Sequence, residues 1–225
     1  MKYLIIIAIF FLSFSSNSIP IPKGNKATFD IIRKNKVIGT IETTFTKKDE
    51  LLIINTDVNV DVKIFFFPAY KFTQTTKEIW LKDEFIEVEG HTNFEDEREY
   101  FITGKDTENN FIANGMDGEL ILDKNILPSN YLNKEILKQK KMFDTQKGIV
   151  RDIKVTKLDD ETIEIDKKKI ITEKYLLDAS GNPKDKGPFP QYTLWYAKNE
   201  ELLKFNFTNW KDKKVVTTQR SNWED

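Results

Sequence analysis

Cysteine is absent from this chain, histidine occurs once, and glycine and proline supply only 9 and 7 of 225 residues. Without cysteine no disulfide can staple the fold, so its stability must come from a packed core. With His91 as the one imidazole, a histidine metal cluster cannot be assembled, and a catalytic triad would have to use that ring. His91 lies in Glu87-Val88-Glu89-Gly90-His91, on the strand face it shares with Glu87 and Glu89, and reads as a surface histidine beside carboxylates. There is no glycine-rich phosphate loop, and no serine stands in a G-x-S-x-G elbow.

Long hydrophobic runs are missing too, with one exception. Lys2, the apolar stretch from Tyr3 to Phe14 and the small residues Ser16-Asn17-Ser18 have the three-part form of a secretory signal peptide over residues 1–18. About a dozen apolar residues fall short of the roughly twenty that cross a bilayer, so no stable membrane span is expected after cleavage. The lack of cysteine excludes a lipid-anchored lipoprotein. The expected product is a periplasmic or secreted chain of residues 19–225.

An excess of charge of one sign is likewise absent. The net charge of -1 becomes -2 once Lys2 is removed, and lysines alternate with acids in Lys47-Lys48-Asp49-Glu50, Lys82-Asp83-Glu84 and Lys211-Asp212-Lys213-Lys214. Such clusters read as solvated turns. They provide no electropositive stripe for nucleic acid, and near-neutrality argues against a charge-driven partner.

What the chain does have is period-two alternation, punctuated by turn residues at short intervals. Strands are expected at Thr28 to Arg33, Val37 to Thr46, Leu51 to Phe67, Tyr70 to Leu81, Phe85 to Phe94 and Arg98 to Gly104. Two more follow at Phe111 to Asn114 and Glu119 to Leu122. The second half repeats the pattern at Ile149 to Leu158, Glu161 to Ile165, Lys169 to Leu177, Gln191 to Tyr196, Leu202 to Thr208 and Lys214 to Arg220. Helical spacing occurs once, over residues 130–142, with Ser129 as its N-cap. The glycines and prolines of residues 179–190 mark a surface loop without a shift in composition, so residues 19–225 are read as one β-rich domain.

So many antiparallel strands curl, because twist accumulates and open edges invite aggregation. The fold class is all-β, mainly antiparallel: a strongly curved sheet or incomplete β-barrel, with one short helix packed against it or plugging it. Val58, Val60, Val62 and Ile64 point one way along their strand, and Asp57, Asn59, Asp61 and Lys63 the other. At Phe65-Phe66-Phe67-Pro68 aromatic rings occupy both faces, next to a proline that cannot complete a ladder. These rings either bend the strand between two packing environments or line a cavity.

The candidate ligand-binding set is therefore Phe65, Phe67, Tyr70 and Phe72, facing Tyr131 and Ile136 of the helix. It would enclose an apolar guest such as a lipid or lipidated protein. The same side chains also read as plain core, in which case the protein is an envelope-associated assembly module acting through its surface. A hydrolase would have to draw on Glu78, Glu87 and Glu89. Asp57-Val58-Asn59-Val60-Asp61 opens like a calcium loop but has Val62 at the glycine position and Pro68 at the bidentate position. No catalytic residue, metal or cofactor is assigned.

Ile38-Gly39-Thr40, Glu78-Ile79-Trp80, Leu127-Pro128-Ser129-Asn130-Tyr131, Asp144-Thr145-Gln146-x-Gly148 and Leu194-Trp195-Tyr196 follow one another along nearly the whole mature chain. In this order they resemble a family of uncharacterised, exported bacterial proteins, with Leu132 where a tryptophan is common. The resemblance implies a curved antiparallel sheet and supplies neither catalytic residue nor ligand. Read physically, Gly39 suits a bulge, Lys34-Asn35-Lys36 a hairpin turn, Trp80 and Trp195 the core, and Asp144 to Gln146 a hydrogen-bonded corner.

Overall fold

In a computed structural model, residues 19–64, 67–94 and 99–224 are described, with the side chains of residues 63, 64 and 67–69 also outside the description. The expected signal peptide and Phe65 lie outside the described residues. Fifteen strands form one continuous sheet, entirely antiparallel between its strands. They are β1 (Lys26–Arg33), β2 (Lys36–Lys48), β3 (Leu51–Ile64), β4 (Phe67–Leu81), β5 (Glu84–Phe94), β6 (Glu99–Asp106), β7 (Asn110–Gly115) and β8 (Gly118–Asp123). Then come β9 (Lys141–Asp144), β10 (Ile149–Lys157), β11 (Glu161–Ile165), β12 (Lys168–Ala179), β13 (Tyr192–Tyr196), β14 (Leu202–Thr208) and β15 (Val215–Arg220). Each of the fourteen strands expected from alternation is present.

The first eight strands form an uninterrupted meander, and β1 pairs with β15 so that Phe29 faces Arg220 and Arg33 faces Val216. The order continues through β14, β13, β12 and β10 to β9, while β11 pairs with β12. The two ends of this path, β8 and β9, do not pair, so the barrel is incomplete. Their hairpin tips still meet: Met116 N–H donates to Lys147 C=O at 2.7 Å, and Gly115 lies against Gly148. A Cβ on Gly115 would stand 2.5 Å from the Gly148 Cα, and Gly148 has φ +66°, so side chains are excluded from both sides of this seam.

Tight turns set the register. The two-residue turns Lys34-Asn35, Lys82-Asp83 and Asp166-Lys167 have positive φ at both positions, the geometry whose twist matches paired strands. Between Ile31 and Ile32 the register of β1 with β2 slips by a bulge at Ile38. The adjacent Gly39 is required because a Cβ there would lie 2.2 Å from Asn59 C=O on β3.

The expected helix over residues 130–142 does not form. Tyr131 has φ +59°, and Asn130 Oδ1 accepts from Leu132 N–H, both of which break a helical turn. A five-residue 3-10 turn, Lys134–Lys138, is capped by Asn133, whose side chain accepts from Glu135 N–H. Ser129, expected as the cap, instead accepts from Thr145 N–H at 3.2 Å. The end of the expected helix is the strand β9, because Met142 and Phe143 are fully buried and pair across to Arg151 and Val150. Among the described residues no helix is long and apolar enough to cross a membrane.

The core is one large cluster inside the curve, including Phe45, Ile54, Trp80, Phe85, Val88, Ile102, Phe111, Ile136, Phe143 and Tyr196. Residues 124–148 supply Leu127, Tyr131, Ile136, Met142 and Phe143 to this cluster and so fill one end of the curve. Trp195 belongs to a smaller cluster with Ile163, Ile165, Leu203 and Trp223.

Candidate functional site

The inward faces of β1 to β5, β14 and β15 carry a separate apolar cluster at the opposite end of the curve. Buried Ile31, Val60, Phe72 and Val216 form its floor, and half-buried Ile38, Ile41, Val58, Val62, Tyr70, Phe94 and Phe207 surround them. The register explains the gathering: Val60 faces Gly39 and Phe72, while Phe72 faces Phe94 with ring centroids 4.9 Å apart. We refer to this as the cup.

Beneath the cup the inward positions turn polar. Thr43, Thr56 and Thr76 lie directly across from one another on β2, β3 and β4, and the Thr43 and Thr56 hydroxyls are 3.0 Å apart. Gln74 donates to Thr145 C=O at 3.2 Å, and the fully buried Thr92 hydroxyl has no hydrogen-bond partner among the described residues. This belt lies between the cup and the filled end, and Ile41 and Phe94 of the cup also pack against the main core.

The sequence-predicted site residues fall in two places. Tyr70 and Phe72 share the cup, whereas Tyr131 and Ile136 are buried in the main core. Phe67 begins β4 with its side chain outside the description. A string of rings links the groups: Tyr131 to Tyr192 at 5.5 Å and Tyr192 to Phe207 at 5.4 Å. Tyr131 also has a structural task, since its carbonyl accepts from the buried Tyr196 hydroxyl at 2.8 Å.

Glu78 is the buried acid of the filled end, 2% exposed, with Ile54 and Val88 as its cross-strand neighbours. Glu78 Oε2 accepts from Asn130 Nδ2 at 2.7 Å and from Trp80 Nε1 at 3.1 Å. Burial pushes the carboxyl up to about 7, more than these two bonds pull it down. Glu78 thus joins the sheet to the filling segment through Asn130. It does not form a carboxylate pair with Glu87 and Glu89, because those face Ile79 and Lys77, which point to the other side of β4. His91 stacks on Phe101 at 4.6 Å, and its Nε2 lies 3.4 Å from Glu99.

A second buried group went unrecognised in the sequence. Arg151, 2% exposed, donates to Asp144 at 2.7 Å, to Asp185 at 2.9 Å and to Ser180 C=O at 2.9 Å, with its guanidinium 4.1 Å from the centre of the Phe189 ring. Lys147 donates to Asp185 at 2.9 Å. Burial would raise the Asp185 carboxyl, but Arg151, Lys147 and the Asn182 N–H outweigh it and hold it at about 2. The partners come from loop 180–191 and the β9–β10 corner, 34 residues apart for Arg151 and Asp185, so no local spacing announces them. Asp144 also fixes its own corner by accepting from Gln146 N–H, as its position suggested.

A cleft of about 280 Å³ opens at the filled end between Glu84, Asp106, Lys124, Asn133 and Glu135, above Phe85 and Leu127. Lys124 already pairs with Asp106 there at 2.9 Å. Among the described residues no group of three or more His, Asp or Glu is placed to hold a metal ion.

A continuous antiparallel sheet that curls without sealing, filled at one end and cupped at the other, defines a β-barrel-like protein. The chain belongs to the domain of unknown function family DUF6134, whose model matches residues 29–218, from β1 to β15. It is similar to the β-barrel-like protein of domain of unknown function DUF1849 from Brucella abortus, solved by crystallography, with a TM-score of 0.61 and 14% identity. That likeness covers 88% of this chain and 95% of the other, and it concerns the fold. No curated protein matches the chain.

Proposed function

We propose that this is an exported, non-enzymatic binding or carrier protein that takes an apolar ligand, a lipid or a lipidated protein segment, in the cup. The observation that supports it is the inward apolar cluster itself: seven half-buried apolar side chains lie around buried Ile31, Val60, Phe72 and Val216. The guest does not lie against Tyr131 and Ile136, which are already covered. Titrating purified residues 19–225 with a fluorescent fatty acid tests the reading. Saturable binding that is lost in Val62→Asp, with unfolding unchanged, is the expected result; no binding by the wild-type protein overturns it. Cell fractionation of the full chain tests export, with a cytosolic product as the contrary outcome.

A surface-acting assembly module is the second reading, favoured by one feature. Ile121 and its cross-strand neighbour Ile112 are 68% and 37% exposed on the outer face of β7 and β8, at the edge of the sheet. Ile121→Lys would abolish association with an envelope partner on this reading and leave fatty-acid binding intact.

A further inference from the structure

The near-zero net charge conceals a local excess on one side of the cup, at the ends of β1, β2, β14 and β15. The turn between β1 and β2 carries Lys34 and Lys36, and residues 209–214 between β14 and β15 carry Lys213 and Lys214. Because Arg33 faces Val216 in the register, these turns lie side by side at the end of two neighbouring strands, directly beyond the cup floor. All four lysines are exposed and make no ion pair among the described residues. Asp212, which stands among them, is ion-paired to Arg33 and accepts from the Lys214 N–H, and Lys34 adds only a longer-range attraction. The sequence hides this because Asp212 sits among the lysines, whereas its carboxylate is drawn across to Arg33 on β1.

Four ammonium groups beside an apolar cup match the two parts of one chemical class. We propose that the ligand is a monomeric single-chain anionic amphiphile, its hydrocarbon in the cup and its headgroup among Lys34, Lys36, Lys213 and Lys214. The inference rests on the cup as the ligand site and adds the charge of the guest. Unpaired lysines at a surface contribute by attraction that salt screens, so the preference for an anion is strongest at low ionic strength.

The test uses two fluorescent probes of equal chain length, a dansylated undecanoic acid and its methyl ester, both below their critical micelle concentrations, titrated into purified residues 19–225. The acid should bind about tenfold more tightly than the ester at low salt. The combined variant Lys34→Gln, Lys36→Gln, Lys213→Gln and Lys214→Gln should bind the two probes alike. Equal binding of both probes by the wild type overturns the assignment of charge while leaving the cup in place, and binding of neither removes both. Flotation with phosphatidylglycerol vesicles, in the absence of monomer binding, would show surface docking on a membrane and likewise overturn the proposal.

Discussion

The two ends of the curved sheet are built from the same strands yet treat their inward side chains differently. At one end residues 124–148 supply Leu127, Tyr131, Ile136, Met142 and Phe143, and the interior is closed. At the other, residues 180–191 reach from β12 to the β7–β8 tip, where Asn182 and Lys184 donate to Asp117, while Ile38, Val62, Tyr70 and Phe207 remain half-buried. A curved sheet therefore does not decide whether it encloses protein or ligand. The connecting segments decide that, and here one long connection fills one end.

If stability is concentrated at the filled end, substitutions there should cost far more than those at the cup. The largest effect is expected for Arg151→Met, which leaves Asp144 and Asp185 buried without their guanidinium and should cost about 3 to 5 kcal/mol in urea unfolding. Ile136→Ala follows, at about 2 to 5 kcal/mol, because the 3-10 turn is anchored by that one buried side chain.

Glu78→Gln should act in the opposite direction and only above mildly acidic pH. The native carboxyl titrates near 7 against 4.5 when unfolded, so the folded state retains its proton longer and wild-type stability falls as pH rises between those values. The full difference is about 3 kcal/mol. Glutamine can still accept from Asn130 and Trp80, so the variant should gain most of that amount at pH 8 and nothing at pH 4. Unfolding curves at the two pH values decide the matter, and equal gains would mean that Glu78 is not the titrating group. The smallest stability change is expected for Val62→Thr in the cup, below about 1 kcal/mol, with weaker binding of the acyl probe. A loss as large as that of Ile136→Ala would make the cup ordinary core and break the contrast between the ends.

Strands were legible in the sequence because a sheet with one wet face writes its burial every second residue. The curved architecture followed from their number. The filling segment was not legible: Tyr131, Leu132 and Ile136 are spaced as on a helix, but the left-handed backbone at Tyr131 and the Asn130 side-chain bond are conformational choices that periodicity does not encode. On β4 the inward residues Gln74, Thr76 and Glu78 are as polar as the outward Thr73, Thr75 and Lys77, so only the register reveals which set is buried. The aromatic run holds Tyr70 and Phe72, which share one cluster. It gave no sign that Tyr131 would sit beyond a polar belt, or that Arg151 would reach across to Asp185.

The pairing of β1 with β15 has a consequence for how the molecule comes into being. β1 is made long before its neighbour β15, and its free side stays available for mispairing until β15 has been made. Such distant contacts make for slow folding, on the millisecond-to-second scale of β-proteins rather than that of helical bundles. A chain of this kind gains from a companion that shields β1 until β15 arrives.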